Sequence, residues 1–173
     1  MTQVVDGFLE RRSHEFRVQY GAFAFTAAGS ELAEVPDRDL ALAPDLPCVA
    51  AVPDNLLLSS GAYYGTVTCE YQSWAGRPPS DVLNDPVPSD DTRVDPADMD
   101  FAEVSVFFSS GLLDLTSLDQ IDGGFPLAAP GAHHAHVRVV GRRAAHQSYL
   151  DSGGLRASPN LERWRILFWP ALV

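Results

Sequence analysis

The chain has 173 residues, 46% of them hydrophobic, and carries a net charge of −11 from 23 acidic residues against 12 arginines, with no lysine. This length and composition predict one domain over residues 1–173 with a hydrophobic core of its own. The negative charge argues against nucleic acid or an anionic membrane as the partner, and no apolar run reaches the roughly 20 residues that a membrane-spanning helix needs.

The N-terminal residues predict a short helix over 2–12, and they lack the basic, apolar and small-residue order of a secretory signal. We therefore expect a cytoplasmic protein. Residues 14–25 alternate between apolar and polar side chains, which is typical of a half-buried strand. The apolar series shifts by one residue at Gly21-Ala22, and either a β-bulge or two strands joined by a bend would explain the shift.

Three further strands are predicted over residues 47–52, 55–61 and 64–74. The third, YGTVTCEYQSW, alternates most cleanly and places Val67, Cys69 and Tyr71 on the core face. Cys48 also falls in a strand-like segment. Because two cysteines are too few for a disulfide framework, we expect both to be reduced core residues.

A long connection follows at residues 75–100, and it is rich in proline and aspartate. From Asp81 to Glu103 eight acidic residues accompany a single arginine, whereas residues 138–165 hold six arginines and two acidic residues. Connections of this length are usually functional or disordered. Two interpretations stay open, a solvated insertion and a specific contact surface. Whether the acidic and basic regions pair depends on the fold.

Residues 101–108 and 112–118 predict a hairpin through the turn Ser109-Ser110-Gly111, and Asp122–Gly124 predicts a further turn. A strand over 136–140 and a short helix over 142–150 come next.

The final predicted strand covers residues 163–169. Trp164, Ile166 and Phe168 form its core face, with Arg163, Arg165 and Trp169 opposite. With about eight strands in all, the pattern predicts an all-β fold, an antiparallel β-sandwich.

Three histidines, His133, His134 and His136, form the most distinctive chemical cluster. On a strand, His134 and His136 share a face with their Cα atoms about 7 Å apart, and two imidazoles so placed can share a divalent metal. No Asp or Glu follows in the next ten residues to complete the site. The alternatives are ordinary strand histidines with no cofactor, and a metal-dependent enzyme or metal sensor that uses His134 and His136.

The sequence holds no phosphate-binding glycine loop, nucleophile elbow, HExxH or CxxC motif. Four segments instead show a recognisable succession of strand and turn types: Ser59–Tyr71 (SSGAYYGTVTCEY), Phe101–Leu115 (FAEVSVFFSSGLLDL), Ala135–Arg143 (AHVRVVGRR) and Leu161–Ala171 (LERWRILFWPA). Together they resemble the competence protein J-like proteins, a group of small bacterial β-rich proteins. The resemblance implies a β-sandwich and, for the founding members, inhibition of a DNA-entry nuclease. It assigns no individual inhibitory residue.

The first functional hypothesis is a non-catalytic protein-binding module, an inhibitor or immunity protein for a basic partner such as a nuclease or toxin. A nuclease site attracts polyanions, so a carboxylate-rich loop can compete for it. The predicted contact residues are aspartates of the long connection: Asp90, Asp91, Asp95, Asp98 and Asp100. The metal-dependent enzyme or metal sensor described above is the second hypothesis. A third is a β-sandwich protein that assembles with itself, and the sequence leaves the oligomeric state open.

Overall fold

The computed structural model describes residues 7–33, 47–117 and 119–171. These residues form ten strands and two short helices, joined by turns and loops. The strands are β1 (Phe8–Gln19), β2 (Ala22–Ala27), β3 (Val49–Val52), β4 (Asn55–Ser59), β5 (Tyr64–Trp74), β6 (Met99–Phe108), β7 (Leu112–Thr116), β8 (Ile121–Pro126), β9 (Gly131–Val140) and β10 (Arg163–Pro170). The helices are α1 (Ser80–Asn84) and α2 (Arg142–Asp151). Neither helix is long and apolar enough to cross a membrane. The predicted all-β class is confirmed.

The strands form one continuous curled sheet. Its main path runs β3-β4-β2-β1-β5-β10-β9-β6, while β7 pairs with β2 and carries β8. All pairs are antiparallel except β5 and β10, which are parallel. The two ends of the path, β3 and β6, lie side by side, and the N–H of Asp54 donates to the carbonyl oxygen of Phe107 at 2.8 Å. The two edges of the sheet thus meet, and the sheet forms a nearly closed, barrel-like structure.

The core lies inside this curled sheet and is rich in aromatic rings. The ring of Phe25 on β2 lies 5.0 Å from that of Tyr71 on β5 and 5.1 Å from that of Phe168 on β10. Phe23 meets Trp164 edge to face at 5.2 Å. Each such pair stabilises the fold by about 0.5–1.5 kcal/mol beyond the area that it buries. The residues predicted for the core faces of β5 and β10 are buried: Val67, Cys69, Tyr71, Trp164, Ile166 and Phe168.

Two predictions near the N-terminus are resolved by the pairing of β1. A helix over residues 2–12 is wrong for residues 8–12, which lie in β1 and pair antiparallel with β5; residues 2–6 lie outside the described residues. The apolar shift at Gly21-Ala22 marks two strands, not a bulge, since a two-residue turn joins Gln19 to Ala22.

The predicted hairpin of β6 with β7 is also wrong. β6 pairs with β9, and β7 pairs with β2 and β8. The turn at Ser109 carries the chain away from β6, because the Ser109 N–H donates to the Asp54 carboxylate at 2.6 Å and so anchors the turn beside β3 and β4. The predicted turn at Asp122–Gly124 lies instead within β8.

Gly61, in the connection between β4 and β5, lies directly against the backbone of α2. A Cβ atom at this position would lie 1.9 Å from the carbonyl oxygen of Arg142 and 2.7 Å from its carbonyl carbon. Only glycine lets these two backbones approach so closely. The contact fixes the start of α2 against the sheet.

Gly61→Ala should therefore lower the free energy of unfolding by about 2–3 kcal/mol, because two backbone segments must move apart. Gly76→Ala is the matched control, since no atom lies within 4 Å of its would-be Cβ, and we expect a change within about 0.5 kcal/mol. Urea unfolding followed by tryptophan fluorescence measures both, and equal midpoints for the two variants would contradict the contact.

Candidate partner-binding surface

Residues 75–98, which we call the strap, connect β5 to β6 and lie along the outer face of β10. Leu83 of α1 anchors the strap in a small apolar cluster with Trp74, Leu167 and Trp169. The predicted proline- and aspartate-rich connection is thus a packed cover of the sheet in this structure. Its apolar anchor comes from a single turn of helix that begins directly after Pro79.

The strap also carries carboxylates to the arginines on the outer face of β10. Nη1 of Arg165 donates to the Asp85 carboxylate at 2.6 Å, and its Nε lies 3.1 Å from Glu70 of β5. Arg165 is 8% exposed, so its charge depends on these two carboxylates. Arg138 of β9 donates to the backbone oxygen of Asp85 at 3.4 Å. The acidic and basic regions of the sequence therefore pair with each other.

Four of the five aspartates predicted to contact a partner lie within ion-pair distance of an arginine of the same chain, and three of these pairs are close. Asp91 receives two bonds from the Arg93 guanidinium, at 2.6 and 2.9 Å, and these bonds lower the pKa of Asp91 to about 2. Asp98 pairs with Arg143. Asp100 accepts a bond at 2.8 Å from Arg142, whose side chain is buried.

The other two aspartates, Asp90 and Asp95, present their carboxylates to solvent. The Asp90 side chain is 93% exposed and lies 3.7 Å from Arg163, a distance at which a solvated ion pair contributes little. Asp95 is exposed, and one of its oxygens accepts the backbone N–H of Ala97 at 2.8 Å. The structure thus leaves Asp90 and Asp95 as the available members of the predicted set.

The predicted metal-binding histidines do share the outer face of β9, but each contacts protein groups. Both nitrogens of His136 have partners, the Leu83 carbonyl oxygen at 3.2 Å and the Glu103 carboxylate at 3.4 Å. The ring of His134 lies 5.4 Å from that of Trp169. Burial lowers the pKa of His136 and that of the neighbouring His133, which faces the core. Within the described ranges, no three His, Cys, Asp or Glu side chains are placed to hold a metal ion.

A buried polar network that the sequence did not reveal joins the sheet to α2. Its centre is Glu162, which accepts a hydrogen bond from the Ser60 hydroxyl and one from the Gly61 N–H at 3.1 Å. The Arg142–Asp100 pair lies beside it. Burial raises the pKa of Glu162 to about 7. The only sequence signal for this network is a pair of glycines, Gly61 and Gly141, each next to a charged or hydroxyl residue that turns inward.

Both cysteines are free and buried, as predicted. Burial raises the pKa of the Cys48 thiol to about 11 and raises that of Cys69 as well. Both thiols therefore stay protonated at neutral pH and are poor nucleophiles.

The Glu162 network predicts a specific dependence of stability on pH. Because the folded state raises the pKa of this carboxyl above its ordinary value of 4.5, it favours the protonated form. The resulting stabilisation is complete below about pH 4.5 and is lost as the pH rises through 7, by up to about 3 kcal/mol. Glu162→Gln removes this titration. Urea unfolding at pH 5 and pH 8 measures the unfolding free energy of both proteins. Between pH 5 and pH 8 the wild type should lose stability relative to the variant. A difference independent of pH would contradict the assignment.

No protein-family model matches the chain, and no curated protein sequence matches it. Among solved structures it is similar to ComJ from Bacillus subtilis, described as an inhibitor of the DNA degrading activity of NucA, with a TM-score of 0.54 and 12% identity over 95% of this chain and 97% of that chain. It is also similar to the protein described as crocagin biosynthetic gene J, with a TM-score of 0.51 and 12% identity over 94% of this chain and 98% of that chain. The chain therefore has the fold of competence protein J-like proteins, which confirms at the level of fold the resemblance carried by its strands.

Proposed function

We propose that this protein is a non-catalytic binding protein that inhibits a basic protein partner, such as a nuclease or toxin. The likeness in fold to ComJ, over nearly the whole of both chains, carries this proposal. The net charge of −11 supports it, because an acidic surface competes with a polyanionic substrate for a basic protein and accelerates the encounter.

Two carboxylates of the strap are suited to this encounter. Asp90 and Asp95 are exposed on a strap that β10 holds in place. Asp91, Asp98 and Asp100 act differently, since their charges neutralise Arg93, Arg143 and Arg142. We assign the first pair to partner contact and the other three to ion pairs within the fold.

The test begins with affinity purification of the tagged protein from its native cells and identification of any protein that co-purifies in stoichiometric amount. The purified partner is then assayed alone and with increasing amounts of this protein; for a nuclease, the readout is the rate of plasmid degradation. Inhibition should saturate at a fixed molar ratio. A partner whose activity is unchanged at saturating inhibitor, or the lack of any stoichiometric partner, would overturn the proposal.

The two groups of aspartates should separate in mutants. Asp90→Asn with Asp95→Asn should slow association with the partner by about three- to tenfold at low salt and flatten its salt dependence, while the urea midpoint stays unchanged. Asp98→Asn with Asp100→Asn should instead lower the unfolding free energy by about 1–2 kcal/mol, because Arg142 is buried and loses a carboxylate. Stopped-flow association rates and urea curves measure the two effects. If the first pair altered only stability, the assignment would be wrong.

A further inference from the structure

Three tyrosines from two parts of the chain meet at one end of the molecule. Tyr20 lies in the β1–β2 turn, Tyr64 begins β5, and Tyr63 directly precedes it. Their ring centroids are 5.2, 5.6 and 4.9 Å apart in the three pairs. Tyr149 of α2 lies close enough to Tyr64 to influence its pKa. We call this cluster, together with Arg156, the tyrosine face. Tyrosine and arginine are the residues most enriched at the energetic centres of protein interfaces.

The turn that carries Tyr20 is strained. Tyr20 has φ +56° and Gly21 has φ +71°, so both central residues of this two-residue turn have positive φ, as in type I′ turns. Asn, Asp and Gly suit the first of these positions, whereas a bulky aromatic residue costs free energy there. Backbone strain of this kind concentrates at binding sites. Tyr20 is 38% exposed, so burial alone does not account for a tyrosine at this position.

Arg156 lies beside Tyr64 of this cluster and forms no ion pair with any described residue. Most of the described arginines do form such pairs. Arg156 lines a cleft of about 230 Å³ with Arg17, Tyr64 and Pro159, and Arg17 is already paired with Asp119 at 3.1 Å. The positive charge that remains available in this cleft is therefore that of Arg156.

The tyrosine face adjoins the acidic strap. A second cleft, of about 570 Å³, is lined by Arg156 together with Arg93 and Ser158. Arg93 donates both to Asp91 of the strap and, at 3.1 Å, to the Ser158 hydroxyl. Asp151 also lines this cleft and accepts a bond from Gln147 at 2.8 Å. The aromatic cluster and the strap thus belong to one continuous surface.

We infer that the tyrosine face is the centre of the partner-binding surface, and that it takes a folded protein that presents a carboxylate side chain to Arg156 and packs apolar side chains on the tyrosine rings. The planar guanidinium binds a carboxylate through two parallel hydrogen bonds. Asp90 and Asp95 lie toward the rim of this surface, where charges govern the association rate, while buried aromatic and arginine contacts govern dissociation. The inference rests on the proposed function, since it names the surface that the partner occupies.

The experiment compares dissociation of the purified complex for Tyr20→Asn and Arg156→Gln with that for two controls, Phe107→Ala and Arg11→Gln. Both control residues are exposed and lie outside both the strap and the tyrosine face. Tyr20→Asn keeps the turn, because asparagine accepts positive φ, so its urea midpoint should not fall below that of the wild type. The two face variants should each raise Kd at least tenfold, mainly through faster dissociation in surface plasmon resonance. The controls should stay within twofold.

Charge reversal tests the carboxylate directly. Arg156→Glu should bind more weakly than Arg156→Gln, and an Asp→Arg or Glu→Arg change on the partner should restore at least tenfold of the lost affinity. If both face variants bound within twofold of the wild type while the wild type still inhibited, the location would be wrong and the proposed function would stand.

A wild-type protein with no inhibitable partner would overturn the proposed function instead. The face is then tested separately with a photo-crosslinking amino acid placed at Tyr63 or at Phe107 in native cells. A single protein crosslinked through position 63 alone, whose purified form loses affinity for Arg156→Gln, would support the face as a protein-binding site. Equal crosslinking at both positions, or none, would overturn it.

Discussion

The burial of β10 on both faces is the constraint on which the rest of the structure depends. On the inner face, Trp164, Ile166 and Phe168 fill the core. On the outer face, Leu167 and Arg165 must also be covered, and a buried guanidinium is tolerated only with carboxylates beside it. The strap meets both needs, with Leu83 for the apolar part and Asp85 for the charge. Much of the chain's acidity therefore serves to complete the fold.

The strands were predictable where one face of the strand is buried and the other lies toward solvent. The β5 segment is the clearest case, since its alternation matches the observed strand from Tyr64 to Trp74. The pattern failed where pairing is long-range. The Asp122–Gly124 segment has the composition of a turn but lies in β8 because β7 offers it an edge, and residues 8–12 extend β1 because β5 is long enough to pair with them. Local sequence carries no information about such partners.

The candidate site was predictable in part for a related reason. Composition identified the acidic segment, but only the fold separates the exposed Asp90 and Asp95 from the aspartates that pair closely with arginines. Tyr20 and Tyr63 are more than 40 positions apart in the sequence, so no local pattern joins them. The histidine spacing correctly placed His134 and His136 on one face. The hydrogen-bond partner of His136 Nε2, however, is the carbonyl oxygen of Leu83, which lies far away in the sequence.

The Glu162 network has a mechanical consequence for the surface above it. Ser60 and Gly61, which bond to Glu162, lie three and two residues before Tyr63, and Arg142 begins the helix that carries Tyr149. This one buried network therefore fixes two of the segments that supply aromatic rings to the tyrosine face. Fixing these segments restricts the positions open to the rings, so a partner that packed against them would cost little further conformational entropy.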